Sequence, residues 1–527
     1  MIKKFIKRLL GKADAAPPEA VPVAVPLGQR RELSQPEHGI DPGLLDEYSV
    51  RVVRTLQDAG HQAYIVGGAV RDLLASRRPK DFDVATDATP EQVKALFRRA
   101  FIIGRRFRIV HVVFGRGRDH EVIEVSTFRA LLESAAADQV AGSEKSSRAA
   151  LAGKTHVVDA SGRVLRDNVW GPQIEDAARR DFTVNAMYYD PVTQTVVDYH
   201  NGFADSRAGV LRMIGDPEAR YREDPVRIVR AVRFAAKLGL AIEPKTGKPI
   251  KAMSALLANV PPSRLFDEMV KLLQTGHALD SIAELRKQGL DRGVFPVLDA
   301  VLAPTTANPA REKFVRLALE DTDRRVGEGR PVAPSFMLAC MLWHDVQERW
   351  TVLRANEPAF PALQQAIDAV FDARIGDISG RGKLAGDMRE IWQMQPRFER
   401  RTPASAQSLV DQARFRAGYD FLRLRADVGE VPVELADWWE DYSLGSDEER
   451  EALLQDVRAS QARRVPGPRG AAKAAVEEEA GAQDADDGKP AEDAPTADAP
   501  ARKRRRRRRR SSGGAGGGDT GGAVPAA

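Results

Sequence analysis

Ala63 to Val66 form a short apolar run, and Val70, Leu73 and Leu74 follow it at i, i+3, i+4 spacing, so the pattern predicts a buried strand turning into a helix packed on its sheet. Gly67 and Gly68 stand at the turn. Further on, Val122, Glu124 and Ser126 alternate with Ile123 and Val125, which predicts a strand with one polar face. After residue 205 the period becomes helical. Asp224 reads as an N-cap, Pro225 as the first helical residue, Val226, Val229 and Val232 as the apolar stripe, and Gly239 as the stop. Leu265 to Leu273 behind an N-cap at Ser263, the run from Phe336 to Trp343, and Leu409 to Leu424 predict more helices. The expected fold class is therefore an α/β head with a mixed sheet, followed by a mainly α-helical body.

This pattern divides the chain into a Pro/Ala-rich arm at 1–40, a head at 41–205, a helical neck at 206–275, a helical body at 276–460 and a low-complexity tail at 461–527. The Pro/Ala-rich arm and the low-complexity tail are expected to be disordered. The stretch from Leu131 to Arg163, rich in Ala, Ser, Gly and Lys, reads as a surface loop.

Composition adds two constraints. Of the 527 residues 43% are apolar, enough for two or three domains with real cores. The single cysteine, Cys340, allows no intrachain disulfide and no metal-cysteine cluster, which suits a reducing cytoplasm. Charge is concentrated rather than spread. The net charge is +5, yet residues 502–510 supply nine consecutive basic side chains, leaving 5 − 9 = −4 for the remainder. Such a polycation, with Arg504 and Arg507 at its centre, attracts RNA without regard to sequence and in a salt-sensitive way. The preceding acidic run from Glu477 to Asp498 is placed to moderate it. The basic, amphipathic Met1 to Leu10 lacks a secretory apolar region. It reads as an arm touching RNA or, peripherally, anionic lipid, and no run is long enough for a transmembrane segment.

The candidate chemistry lies in the head. A glycine pair opening a helix lets backbone N–H groups approach phosphate oxygens, and Arg71, one turn in, adds a charge-assisted donor. Asp81 and Asp83, one residue apart, project from one face of a strand while Phe82 and Val84 turn to the core, giving oxygen donors suited to magnesium. Taken alone, the glycines are equally a tight turn and the aspartates a solvated strand end. Asp224, Arg227 and Arg230 recur every third residue along one helix and form a polar stripe; a cap and a solvated face explain the same residues. Arg414, Arg416, Arg423 and Arg425 are placed to guide an RNA strand, with an exposed helix face as the alternative.

Taken in order over residues 61 to 240, Gly67-Gly68-Ala69-Val70-Arg71-Asp72, Asp81-Phe82-Asp83, Arg179-Arg180-Asp181-Phe182-Thr183-Val184-Asn185-Ala186 and Glu223-Asp224-Pro225-Val226-Arg227-Ile228-Val229-Arg230 resemble the nucleotidyltransferase family of CCA-adding enzymes and bacterial poly(A) polymerases. Gly104 to Arg108, His111 to Gly115, Ile214 to Pro217 and Pro261 to Phe266 look most like the bacterial poly(A) polymerases. The resemblance implies template-independent transfer of AMP from ATP to RNA 3′ ends with two Mg2+ ions held by Asp81 and Asp83. It implies Asp181 as a third catalytic carboxylate, with Glu124 a competing candidate and an ion pair with Arg179 or Arg180 the structural reading of Asp181. Gly67, Gly68, Arg71 and Arg180 are then nucleotide-binding, and Asp224, Arg227 and Arg230 read the base. Expected partners are RNA ends and RNA-decay machinery, around a monomer. CCA addition to tRNA is the nearest alternative, and a non-catalytic RNA-binding protein is the alternative of another class.

Overall fold

The computed structural model describes residues 25–104, 108–115, 120–131, 138–140, 156–159, 164–302, 309–330, 332–374 and 382–464. Residues 1–24, most of the expected surface loop and nearly all of the charged tail lie outside them, whereas the end of the expected disordered arm, 25–40, is ordered: Arg31–Leu33 pairs into the head sheet and Leu33 and Ile40 are buried.

The head is built on an eight-stranded sheet. Its strands, in chain order, are β1 (Arg31–Leu33), β2 (Ala63–Val66), β3 (Asp83–Thr86), β4 (Ala100–Ile103), β5 (Ile109–Phe114), β6 (Glu121–Thr127), β10 (Met187–Asp190) and β11 (Thr195–Asp198). Short strands β7 (Asp138–Val140), β8 (His156–Asp159) and β9 (Val164–Asp167) form a separate three-stranded sheet between β6 and β10 in the chain. The large sheet runs β1-β11-β10-β2-β3-β6-β5-β4, and within it only the β3–β6 pair is parallel.

Helices α1 (Glu47–Asp58), α2 (Gly68–Leu74) and α3 (Pro90–Leu96) cover one face, where Val52, Val53, Leu56, Val70, Leu73 and Val93 meet Ile65, Val84, Val110, Val112, Ile123 and Val125 in one core. On the other face α4 (Gln173–Arg179) sets Ala177 against Val66, Ala85, Tyr188 and Val197. Two-sided burial explains why β2 is apolar throughout, whereas β6 alternates because only one of its faces is packed.

After the sheet come α5 (Pro217–Glu223), α6 (Val226–Leu238) and α7 (Pro262–Leu273), then longer helices that include α8 (Pro334–Leu353) and α9 (Gly382–Met394). One continuous core joins Phe182 and Val184 of the head to Val229 and Val232 of α6, Leu272 of α7, Trp343 of α8 and Trp392 of α9. This shared core fixes α6 against the head. Cys340 is buried within it.

Three helix expectations change. The N-cap of α7 is Pro261, with Ser263 inside the first turn. The stretch from Leu409 to Leu424 is two helices, α10 (Pro403–Val410) and α11 (Phe415–Asp427), because Arg414 leaves helical backbone at φ −103°, ψ 9°. Asp224 ends α5 rather than capping α6, for a reason that belongs to the site. Among the described residues no helix is long and apolar enough to cross a membrane.

Candidate active site

The β2–α2 turn, the start of β3 and the inner face of α6 enclose a cavity of about 680 Å³. Gly67 holds φ +72°, ψ −125°, a conformation open to glycine but strained for other residues, so the chain can pass from β2 into α2 without an intervening loop. Arg71 is almost buried and fixed at both ends. It donates to Asp72 Oδ1 at 2.8 and 3.0 Å and to Asn185 Oδ1 at 2.7 Å. Arg180 lies beside it, donating to Asp176 Oδ2 at 3.1 Å and to the Tyr188 hydroxyl at 3.3 Å.

The facing wall is acidic. Asp83 is the first residue of β3 and Asp81 lies just before the strand, so the pair straddles the strand end instead of sharing a strand; Phe82 and Val84 are buried beneath. Asp83 stands opposite Glu124 in the parallel register with β6. Burial, the Glu124 carboxylate and Asp81 together push the Asp83 carboxyl up to about 6, against the pull of Arg180. Among the described residues, no three acidic or imidazole side chains are gathered as a metal cluster; Asp81 and Asp83 both line the cavity.

Asp181 lines the same cavity in a different electrostatic state. Its Oδ2 lies 2.6 Å from Arg230, and its Oδ1 accepts from the Phe182 N–H at 2.9 Å and from Asn185 Nδ2 at 3.4 Å. Burial opposes ionisation there, but Arg230 outweighs it and holds the carboxyl down at about 2. The ion-pair reading of Asp181 is therefore the one realised, with Arg230 instead of Arg179 or Arg180. Glu124 stands outside the cavity lining, 3.2 Å from His111 Nε2.

The stripe on α6 is also taken apart. Asp224 accepts two bonds from Arg264 of α7, at 2.7 and 2.8 Å, and this fork draws its carboxylate away from the helix end it was expected to cap. Arg227 binds Glu223 at 2.7 Å and the Arg220 carbonyl at 3.0 Å, while Arg230 holds Asp181. All three still line the cavity. Phe234, one turn beyond Arg230, lines it as well and escaped the sequence reading of the site. Its ring sits edge-on to Phe182 at 5.8 Å, with the Arg233 and Arg230 guanidiniums 4.3 and 5.2 Å from its centroid. The i+4 spacing from Arg230 was the available signal. Arg264 was harder to find, since it joins the site only through folding.

Family models match in the same order as the elements. The poly A polymerase head domain matches residues 63–212, the probable RNA and SrmB-binding site of polymerase A matches 239–302, and the polymerase A arginine-rich C-terminus matches 355–511. A poly(A) polymerase I from Haemophilus influenzae is 40% identical over 422 residues, covering 79% of this chain and 89% of that protein. The chain belongs to the poly(A) polymerase I family. A second poly(A) polymerase I, from Escherichia coli O157:H7, is 38% identical over 476 residues, 89% of this chain and 97% of that protein. A CCA-adding enzyme from Bacillus subtilis is 37% identical over 238 residues, but these are only 45% of this chain and 53% of the enzyme.

In this poly(A) polymerase I family member the arginines expected to guide RNA have acidic partners. Arg414 lies 2.5 Å from Asp387, Arg416 2.9 Å from Asp420, and Arg423 2.5 Å from Asp437. Of these, Arg416 keeps a largely exposed side chain. Arg425 is a correction: it is buried in the helical body, 3.1 Å from Glu430 and over the Trp343 ring, so it holds helices together and cannot meet RNA. Arg504 and Arg507 lie outside the described residues.

Proposed function

We propose that the protein transfers AMP from ATP to the 3′ ends of RNA without a template, in the cavity between the β2–α2 turn and α6. One observation carries the reading: paired carboxylates, one of them pushed up to about 6, face a wall of fixed guanidinium groups across a nucleotide-sized space. The RNA 3′ oxygen forms a bond to the α-phosphorus of ATP, the bond to pyrophosphate breaks, and the hydroxyl proton is lost to solvent. Gly67 and Gly68 let the backbone approach the triphosphate. Arg71 and Arg180, held from behind by Asp72, Asn185, Asp176 and Tyr188, offset the charge of the departing pyrophosphate without reorganising, which is where preorganised groups contribute most. Phe234 offers a flat apolar wall to a purine, and Asp224, Arg227 and Arg230 approach its edge.

Asp81 and Asp83 would hold two Mg2+ ions, with Asp181, which lines the same cavity, or Glu124, opposite Asp83 in the sheet, as the third carboxylate. When bound, they supply charge neutralisation at the reacting phosphate. The head at 41–205 then carries the chemistry, the neck at 206–275 the base contacts, and the body at 276–460 the RNA path. Purified Asp81→Ala should lose adenylation of an oligoribonucleotide while binding it as before. Adenylation at the wild-type rate by that variant would overturn the assignment.

CCA addition is the second reading, favoured by relatives such as the Bacillus subtilis CCA-adding enzyme, whose match spans 45% of this chain. It requires efficient CTP incorporation into a tRNA lacking its terminal nucleotides.

A further inference from the structure

Strand register places four side chains in one row across the head. Phe101 of β4 is opposite His111 of β5, His111 is opposite Glu124 of β6, and Glu124 is opposite Asp83 of β3. Directly opposed residues of paired strands present their side chains to the same face. The alternate residues, Ala100, Val110, Val112, Ile123 and Val125, are buried on the other face. On the Asp83 face, α4 covers the half of the sheet nearest β10, whereas Val122 of β6 is 38% exposed and Phe101 of β4 is 55% exposed. Among the described residues, Phe101 enters no ring contact.

The chemistry gives this half of the sheet a direction. β2 and β6 flank β3 on opposite sides, and the phosphate-facing groups Gly67, Gly68 and Arg71 lie at the β2 side. Attacking and leaving oxygens lie roughly in line in phosphoryl transfer. With pyrophosphate leaving on the β2 side, the attacking hydroxyl has to arrive from the β6 side.

We propose that the β6–β5–β4 face is the acceptor platform, across which the 3′-terminal nucleotides of RNA run toward Asp83 with a base stacked on Phe101. This rests on the adenylyl-transfer reading above. Three strand spacings of roughly 4.8 Å put Phe101 about 14 Å from Asp83, under a base upstream of the terminal nucleotide. Stacking accepts any base because every base has a π-face, which suits an enzyme whose acceptor end changes from transcript to tail.

The test is KM for an oligoribonucleotide acceptor and for ATP, measured separately on the full chain as wild type, Phe101→Ala and Phe101→Trp. Phe101→Ala should raise the acceptor KM by about fivefold to a hundredfold and leave the ATP KM in place, and Phe101→Trp should restore it. An unchanged acceptor KM, or both constants rising together, overturns the proposal. Fluorescence of Phe101→Trp gives a second readout that needs no turnover. The emission it adds over wild type should be quenched by the acceptor without ATP, and emission unaffected by the acceptor counts against the platform. If wild type incorporates no AMP, the adenylyl-transfer reading fails, and the quenching still decides whether RNA lies on this face.

Discussion

Asp181 shows how a single partner changes the role of a carboxylate. An aspartate beside two arginines suggests a metal ligand or a local ion pair, but the guanidinium that claims it comes from Arg230, 49 residues later. Its carboxyl falls from the ordinary 3.8 to about 2, so it contributes stability that is complete above about pH 4 and is lost as pH falls through about 2. The shift corresponds to about 2 kcal/mol. Glu223 behaves alike: burial resists ionisation, yet Arg227 and Arg220 hold it at about 2. Asp181→Asn should therefore melt at a lower temperature at neutral pH and show a shallower acid-unfolding slope between pH 4 and 2 than wild type. Identical slopes would contradict the ion-pair account. The two candidates for third carboxylate also separate kinetically. Glu124→Gln should lower kcat with little change in stability, while Asp181→Asn should lower stability and raise the ATP KM by freeing Arg230; the reverse pattern would return the metal role to Asp181.

At the scale of elements, the β2–α2 turn is where local backbone and function meet. Gly67→Ala must place a side chain at φ +72°, with its Cβ 3.4 Å from Arg180 Nη1. A residue forced into such a region costs on the order of 1–3 kcal/mol. The expected result is a lower melting temperature together with a raised ATP KM, and an unaltered ATP KM would detach the turn from the triphosphate. This turn was legible in the sequence because apolar run, glycine pair and helical spacing agree over a dozen residues. So were β6, from its alternation, and the body of α6, from Val226, Val229, Val232 and the Gly239 stop, where the backbone reaches φ +65°. Helix boundaries that depend on distant partners were not. Asp224 has an N-cap signature, but the Arg264 fork 40 residues away captures its carboxylate. Leu409 to Leu424 contains only Gly418 as a breaker signal, yet the chain breaks at Arg414, four residues earlier. Arg425 read as a surface charge because its spacing matched the exposed arginines, and only folding brings Glu430 to it.

Over the whole molecule, the proposed chemistry and the densest run of positive charge lie in different parts of the chain. The described helical body neutralises Arg414, Arg416, Arg423 and Arg425 internally, which leaves residues 502–510 as the densest positive charge in the sequence. A chain ending at Arg464 should keep its melting temperature and its addition of a first nucleotide, while binding RNA more weakly and with a flatter dependence on salt. Each phosphate the shortened chain no longer neutralises lowers the slope of log K against log salt by about 0.7 for single strands. An unchanged salt slope would place the main RNA-binding charge in the body after all. The relatives that match nearly the full chain are poly(A) polymerases, and those matching less than half include CCA-adding enzymes, so the central claim concerns which nucleotide the cavity accepts. End-labelled RNA incubated separately with ATP, CTP, GTP and UTP, and resolved on a denaturing gel, tests it most directly. The account predicts a long ladder with ATP and little extension with the others; efficient extension with CTP, or none with ATP, would contradict it.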